Sequence, residues 1–204
     1  EYFDFGATTV SLYWEGRTIG NFSYTFGGDM NNDGGTSNDL IYIHRNTSEM
    51  NFEQYSVTIS GVTTTFTTQQ QADAWNAYIE QDKYLSANRG KYAERGGVFL
   101  PMVSRADLSI AQDVFTDIMG NRNSLQFRVD FLNVGNLINK NWGVSQRLVN
   151  AQPLIPAASR VDAQGRALYR LRAIGNQLMT TSLEQTAGIS DVFRIQFGIR
   201  YSFN

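Results

Sequence analysis

The sequence has no cysteine, only one histidine and no long apolar run. The lack of cysteine excludes a disulfide framework and any cysteine-ligated metal site. No stretch of 18 residues is apolar throughout, so no transmembrane helix is predicted, although membrane-spanning β-strands give a much weaker signal. Because His44 would have to serve every catalytic set, we expect that the protein is not an enzyme. We expect His44, beside Arg45, to be a surface loop residue.

Charge is also scarce. Charged residues make up 18% of the chain, below the roughly 25% of an ordinary soluble protein, and the net charge is −2. A general nucleic-acid binder would carry a basic patch and a high pI, so no nucleic-acid partner is expected. The 204 residues begin at Glu1 rather than Met, and we expect a processed protein or a piece of a longer one.

The clearest pattern that is present lies in segment 191–203. Every second residue there is apolar: Phe193, Ile195, Phe197, Ile199, Tyr201 and Phe203. Successive side chains of a strand point to opposite faces, so the segment predicts a strand with one apolar and one polar face. Lipid on the apolar side and a wet lumen on the other would produce this pattern, and we expect these six residues to face a membrane. A strand of a soluble sandwich would show the same alternation.

Earlier segments alternate in the same way at strand length, namely 8–15, 21–26, 104–115 and 124–132. Turns at 16–20 and 117–123 predict that they form two hairpins. The connections 27–100 and 133–190 are very long, which is unusual within a compact soluble domain and ordinary for the outward loops of an outer-membrane barrel. Five strands cannot close, since a membrane barrel needs at least about eight. We therefore predict an all-β fold, the C-terminal part of a larger antiparallel transmembrane β-barrel.

The two long connections contain shorter elements of their own. Leu40–Ile43 and Tyr55–Thr67 are candidate strands. Thr68, with Gln71 three residues later, predicts the start of a helix that runs to about Asp82. The spacing of its residues places Trp75, Tyr78, Ile79 and Asp82 on one side of this helix. The second connection predicts a protruding hairpin around its two prolines, built from Trp142–Val149 and Leu168–Ile174.

Residues 29–34 match the opening of a calcium loop, Asp-x-Asn-x-Asp-Gly. In such a loop, alternate oxygen-bearing side chains converge on one cation while the glycine permits a sharp turn. The usual closing glutamate is missing, so the candidate calcium ligands are Asp29, Asn31, Asp33 and Asp39. The alternative is a polar, turn-rich loop that holds no ion.

Three further groups of residues have two interpretations each. Asp107, Asp113 and Asp130 either supply a carboxylate pair for glycoside hydrolysis or, as we favour, form a polar lumen wall with arginines 105 and 128. The arginines at 170 and 172 either contact an anionic ligand or, as we favour, form the solvated face of a hairpin. The aromatic residues 75, 78 and 84 either stack on sugar rings or pack a loop helix onto its barrel.

Two segments resemble the end of a TonB-dependent outer-membrane receptor: Ser104–Asp113, with its Arg-x-Asp-Leu strand, and Leu125–Asn139, a strand running into an Asn-Leu-Ile-Asn sequence. Tyr84–Gly90 and Glu94–Gly97 are similar to the Bacteroidota branch of that family, the Oar-like and SusC-like receptors. The resemblance covers most of the chain. Two departures are the Leu-Ile pair where Leu-Phe is usual and Asn204 after the terminal aromatic residue.

The resemblance implies a barrel of about 22 strands, with long extracellular loops that carry a short helix and a hairpin, filled by an N-terminal plug that this chain does not contain. Such a receptor lies in the outer membrane of a Gram-negative bacterium, with its loops extracellular and its C-terminus periplasmic. It binds a scarce solute (peptide, glycan or metal chelate) and imports it using the inner-membrane proton-motive force. The implied partners are outer-membrane lipid, the rest of the barrel and its plug, TonB through the missing N-terminal part, and a surface lipoprotein lid.

The competing hypothesis is a soluble extracellular β-rich binding or adhesion module stabilised by calcium. It explains the alternation and the Asp29 loop. It does not explain why short turns and very long loops alternate, nor why the last strand ends on aromatic residues. We therefore favour the outer-membrane transporter.

Overall fold

The computed structural model of the chain describes residues 5–118 and 121–203. The chain divides into two compact units. The first, called here the sheet unit, comprises Glu1–Ile19, Pro101–Gln146 and Gln185–Asn204. The second, called the loop unit, comprises Gly20–Leu100 and Arg147–Glu184.

Most of the secondary structure is β-strand, which confirms the predicted all-β class. The strands in chain order are β1 (Gly6–Thr18), β2 (Asn21–Phe22), β3 (Tyr55–Ile59), β4 (Val62–Phe66), β5 (Val98–Phe99), β6 (Met102–Ile118), β7 (Asn121–Leu132), β8 (Gln146–Leu148), β9 (Leu154–Val161), β10 (Ala167–Leu171), β11 (Ala173–Ile174), β12 (Gln177–Leu178), β13 (Leu183–Gln185) and β14 (Arg194–Ser202). The helices are α1 (Thr68–Gln81), α2 (Lys83–Ala87) and α3 (Val134–Ile138), with a 3₁₀ turn at Thr47–Glu49. None of the helices in the described residues is both long and apolar enough to cross a membrane.

Four long antiparallel strands build the sheet unit, in the order β1–β6–β7–β14. Their register brings the apolar positions of neighbouring strands together: Val10 lies opposite Ile110, which lies opposite Val129, which lies opposite Phe197. A slip of one residue would move a whole apolar set to the other face, so the alternation itself specifies this register. Within the described residues β1 and β14 each pair on one side only, and the sheet is open.

The connections between these strands are unequal. The pairing of β6 with β7 continues to the last described pair, Ile118 opposite Asn121. Residues 117–118 and 121–123 of the predicted turn are therefore strand, and residues 119–120 lie outside the described residues. The other two connections, from β1 to β6 and from β7 to β14, are long. Both join strands at the opposite end of the sheet from the connection between β6 and β7.

One of the five predicted long strands is wrong. Segment 21–26 is strand only at Asn21–Phe22, and it pairs with β5 in the loop unit instead of forming a hairpin with the first strand. The predicted turn at 16–20 is also wrong in extent, because β1 continues through Gly16 to Thr18 and pairs along its whole length with β6. The other four predicted segments correspond to β1, β6, β7 and β14, of which the structure extends the first three and shortens the last.

Short two-stranded sheets form the loop unit: β2 with β5, β3 with β4, β9 with β10, β11 with β12, and β8 with β13. The predicted strand 55–67 is a hairpin that turns at Ser60–Gly61, where both residues have positive φ. Leu40 and Tyr42 make only isolated bridges. The predicted hairpin of 142–149 with 168–174 is wrong, because β9 pairs with β10 across a turn closed by Asp162, while β8 pairs with β13.

Helix α1 packs its apolar side into the core of the loop unit. Its N-cap is Thr67, one residue before the predicted cap: the Thr67 hydroxyl accepts the N–H of Gln70 at 3.2 Å, and Gln70 Oε1 accepts the Thr67 N–H at 2.9 Å. Trp75, Tyr78 and Ile79 are fully buried, and the first two rings stack with centroids 5.3 Å apart. The sequence therefore predicted the buried side of this helix correctly.

Candidate functional site

The apolar face of the sheet has exposed residues on all four strands, while Leu108, Val129 and Phe131 on the two central strands are half-buried. The six residues of segment 191–203 predicted to face a membrane are between 42% and 81% exposed, with Phe197 the most exposed. On β1, at the far side of the sheet, Val10, Leu12 and Trp14 are 64%, 72% and 63% exposed. Single exposed apolar residues are common on soluble proteins, whereas a continuous exposed apolar face marks a contact surface.

The opposite face of the sheet is polar, and its charged groups are engaged locally. Arg128 donates to Asp130 at 2.8 Å, and Gln126 donates to Asp113 at 3.0 Å. Asp107 accepts the backbone N–H of Asn133 at 2.7 Å. Each carboxylate thus has its own partner, which favours the polar wall over a catalytic carboxylate pair.

Arg105 was predicted to pair with these aspartates, but it pairs instead with Asp191. Its Nη2 lies 3.3 Å from Asp191 Oδ1. Asp191 also accepts the backbone N–H groups of Ser145 at 2.9 Å and Gly188 at 2.7 Å, and the hydroxyl of Thr186 at 2.7 Å. These five residues are called here the Asp191 cluster. They hold the segment just before β14 against the start of β6 and the segment that follows α3.

Asp191 is only 4% exposed, and it remains charged. Burial raises its pKa, but the Thr186 hydroxyl and the N–H groups of Ser145 and Gly188 outweigh that effect and lower the pKa to about 2. Sequence reasoning included Asp191 in a strand and missed this role. A signal was present in Gly188-Ile-Ser-Asp191, because an aspartate three residues after a glycine in a turn readily accepts backbone N–H groups.

The residues of the predicted calcium loop lie close together, and their oxygens accept backbone N–H groups. Asp29 accepts from the N–H groups of Asp33 at 3.1 Å and Gly34 at 3.0 Å. Asn31 also accepts from Asp33, at 3.0 Å, and Asp39 accepts the N–H of residue 30 at 2.7 Å. Gly34 has φ +88°, the left-handed conformation that the sixth position of such a loop requires.

The fit of this loop to calcium is partial. Asn38 Oδ1 is buried without a hydrogen-bond donor, so the loop offers one oxygen that a cation would satisfy. The pKa of Asp33 is lowered by the backbone N–H of Gly35 and by the amides of Asn31 and Asn38, so the carboxylate is charged. However, no group of three or more acidic or histidine side chains in the described part of the chain is arranged to hold a metal ion. Calcium binding by Asp29, Asn31, Asp33 and Asp39 stays a prediction.

The expectation that His44 is a surface residue is wrong. It is 2% exposed, and its Nδ1 accepts the indole N–H of Trp75 at 3.0 Å. Burial lowers the pKa of His44 to about 4, opposed by Glu49 and assisted by Arg89. The ring is therefore neutral at physiological pH.

The expectation for the arginines of the predicted hairpin is also wrong. Arg170 donates to Glu53 at 2.9 Å, and Arg172 donates to the backbone oxygen of Gln152 at 2.7 Å. Both belong to internal contacts rather than to a solvated face. The aromatic residues at 75 and 78 lie in the core, which supports packing rather than stacking on sugar, and Tyr84 accepts a backbone N–H through its hydroxyl.

Comparison with known proteins adds no relative: no family model matches the chain, and neither a curated protein nor a solved structure matches it. The likeness to TonB-dependent receptors therefore depends on the sequence segments quoted above and stays a prediction.

Proposed function

We propose that this chain is the C-terminal part of a TonB-dependent outer-membrane receptor, an active transporter of the Oar-like and SusC-like branch. In this proposal its four long strands belong to a closed barrel of about 22 strands. A plug domain elsewhere in the parent protein would contact TonB. The solute would be bound outside the cell and imported with energy from the inner-membrane proton gradient.

The observation that carries the proposal is the largely apolar face of the sheet, which has exposed apolar residues on all four strands and is interrupted by Thr8 and Gln112. Cross-strand rows such as Leu12, Leu108, Phe131 and Ile195 are apolar on all four strands. A water-soluble sheet of this size would bury such a face against a second layer, whereas lipid accepts it directly. The polar reverse face, with its local Arg128–Asp130 ion pair, is what a wet lumen wall would need.

The connectivity of the sheet gives separate support. Both long connections join strands at one end of the sheet, and the short connection between β6 and β7 joins them at the other end. Outer-membrane barrels have long extracellular loops and short periplasmic turns. By this criterion the loop unit would be extracellular. The C-terminus would be periplasmic, because β14 ends at the same end of the sheet as the short turn.

The open edges of the sheet also support a larger assembly. Within the described residues, β1 and β14 each present one unpaired edge. Unpaired backbone N–H and C=O groups are costly in hydrocarbon, so a membrane sheet must continue until it closes. We therefore propose that further strands of the parent protein pair with both edges.

The orientation of β14 is tested by moving one charge across the sheet. Phe197→Asp places a carboxylate in the middle of the apolar face, where lipid contact would cost on the order of 3 kcal/mol. We expect little or no assembled barrel in the outer membrane, measured as the heat-modifiable fraction on unboiled gels. The control, Gln196→Asp, introduces the same charge on the polar face of the same strand and should assemble nearly as well as the unchanged protein. Equal assembly of the two variants would refute the proposed orientation.

A further inference from the structure

The loop unit contains a cavity of about 500 Å³ that none of the features described so far uses. It lies between the 3₁₀ turn, the segment that follows this turn, and β10. Its lining combines tyrosine rings with polar groups and includes Tyr42, His44, Glu49, Asn51, Ala167 and Tyr169. This volume is within the range of small-molecule binding sites. It is called here the His44 cavity.

His44 supplies a fixed hydrogen-bond donor to this cavity. Because Nδ1 accepts the Trp75 N–H, the proton of the neutral ring must be on Nε2. No oxygen or nitrogen among the described residues accepts a hydrogen bond from Nε2. Trp75 is itself fully buried, so the orientation of the imidazole is set by the core. An oriented donor that has no protein partner and opens onto a cavity favours a ligand that accepts from it.

Asn51 supplies a fixed acceptor to the same cavity. Its Nδ2 donates to Asp162 at 3.0 Å and to the backbone oxygen of Ala167 at 3.1 Å, which determines the direction of the amide. Its backbone oxygen accepts the N–H of Tyr169 at 3.0 Å, so the main chain is held as well. Among the described residues nothing donates to Asn51 Oδ1, which is left to accept from a ligand.

The charged groups of the lining already have partners. Glu49 lies 3.5 Å from Arg45, whose backbone N–H it also accepts at 2.9 Å. Arg166 pairs with Asp162 at 2.7 Å. A charged ligand would have to compete with these pairs, so the cavity suits an uncharged one. The rings of Tyr42 and Tyr169 each stand edge-to-face with His44, at 5.6 Å, and offer apolar surface beside the donor.

We infer that the His44 cavity binds an uncharged ligand through an amide group. The carbonyl oxygen of the amide accepts from His44 Nε2, its N–H donates to Asn51 Oδ1, and the tyrosine rings cover its flat faces. A peptide bond and the N-acetyl group of an amino sugar both offer this chemistry. The inference deepens the proposed function, on which it rests for placing the cavity outside the cell.

The test is a ligand-observed NMR titration of the intact protein that carries this chain, purified in detergent. The probes are diacetylchitobiose, N-acetyl-triglycine amide and cellobiose, which matches the first in size but has no amide. We expect millimolar binding of at least one amide probe, at least about tenfold tighter than binding of cellobiose. Binding of diacetylchitobiose alone would identify an amino sugar as the source, and binding of the peptide alone would identify a peptide.

A substitution tests whether the amide probe binds in this cavity. Ala167→Leu fills it without removing any hydrogen-bonding group and should weaken the amide probe at least about tenfold. The matched control, Ala158→Leu, makes the same change at an exposed position of β9 and should leave binding unaltered. Equal binding of cellobiose, no binding of either amide probe up to about 50 mM, or undiminished binding by Ala167→Leu would each overturn the inference. The probe comparison uses the unchanged protein and does not depend on how the variants fold.

The titration requires neither lipid insertion nor TonB. A negative result would therefore leave the transporter proposal intact. Conversely, normal assembly of Phe197→Asp would refute the proposed membrane orientation of β14. A positive result of the ligand titration would still stand.

Discussion

Asp191 is a buried charged residue that stabilises the sheet unit. It is almost fully buried, and four groups (the Arg105 guanidinium, two backbone N–H groups and the Thr186 hydroxyl) bind its two oxygens. Its pKa falls from 3.8 to about 2, which corresponds to about 2 kcal/mol of stability. Since the pKa is lower in the folded state, this stability is present above pH 3.8 and is lost as the pH falls toward 2.

Asp191→Asn should therefore reduce the free energy of unfolding by about 2 kcal/mol at pH 7, because Arg105 loses its charged partner in a largely buried setting. The same variant should show a flatter pH dependence between pH 4 and 2. Urea unfolding in detergent, followed by tryptophan fluorescence at several pH values, measures both effects.

The matched control is Glu184→Gln. Glu184 forms an ion pair with Arg147 at 2.7 Å, but the two side chains are 45% and 68% exposed. Exposed pairs contribute little, so this change should alter stability by less than about 0.5 kcal/mol. If both variants lose the same free energy of unfolding, the Asp191 cluster stabilises the sheet unit no more than an exposed ion pair does.

Two buried polar residues show why their distant partners could not be predicted from the sequence. His44 bonds to a residue 31 positions away, and Asp191 pairs with one 86 positions away. Nothing near either residue in the sequence indicates that distant partner. Local features alone favoured a surface histidine and a strand aspartate, and tertiary packing decided otherwise.

At the scale of elements, alternation predicted the sheet well where the apolar positions are strong. β14, β7 and β6 were predicted within a few residues, because period-two patterns specify both the strand and its buried or exposed face. The first hairpin failed because the glycines at 16 and 20 suggested a turn. Strand β1 pairs instead with β6, more than 80 residues later in the chain. No local turn signal reveals such a long-range pairing.

The helix shows the same division. The apolar spacing of Trp75, Tyr78 and Ile79 predicted the buried side, whereas the cap was misplaced by one residue because Thr67 and Thr68 are adjacent and each is followed by glutamine three positions later. The capping box formed by Thr67 and Gln70 has reciprocal hydrogen bonds. Such ambiguity is inherent in repeated threonine and glutamine.

The Asp29 loop is the element for which a metal is predicted. If calcium binds, adding the ion should slow proteolysis of segment 27–40, and a chelator should restore the rate. Replacing Asp29 and Asp33 by Ala should abolish the difference, since both supply carboxylate oxygens. Limited proteolysis followed by mass spectrometry measures this. Identical cleavage of the unchanged protein with calcium and with chelator would remove the site.

At the scale of the whole molecule, the chain combines an open sheet with two unlike faces and a compact loop unit with its own core. The sequence predicted the all-β class and the two long connections. It did not reveal that the connections build one unit of several two-stranded sheets around Tyr24, Trp75, Tyr78 and Leu171. That core forms from segments far apart in the chain, so it has no local signature beyond the apolar side of α1.

We propose above all that the four long strands belong to a closed membrane barrel. The most direct measurement compares boiled and unboiled gel mobility of the native parent protein extracted in detergent from membranes. We expect a faster unboiled band and a boiled mass several times the 22.9 kDa of this chain. A water-soluble species of the mass of this chain, with no shift on boiling, would contradict it and favour the soluble calcium-stabilised module.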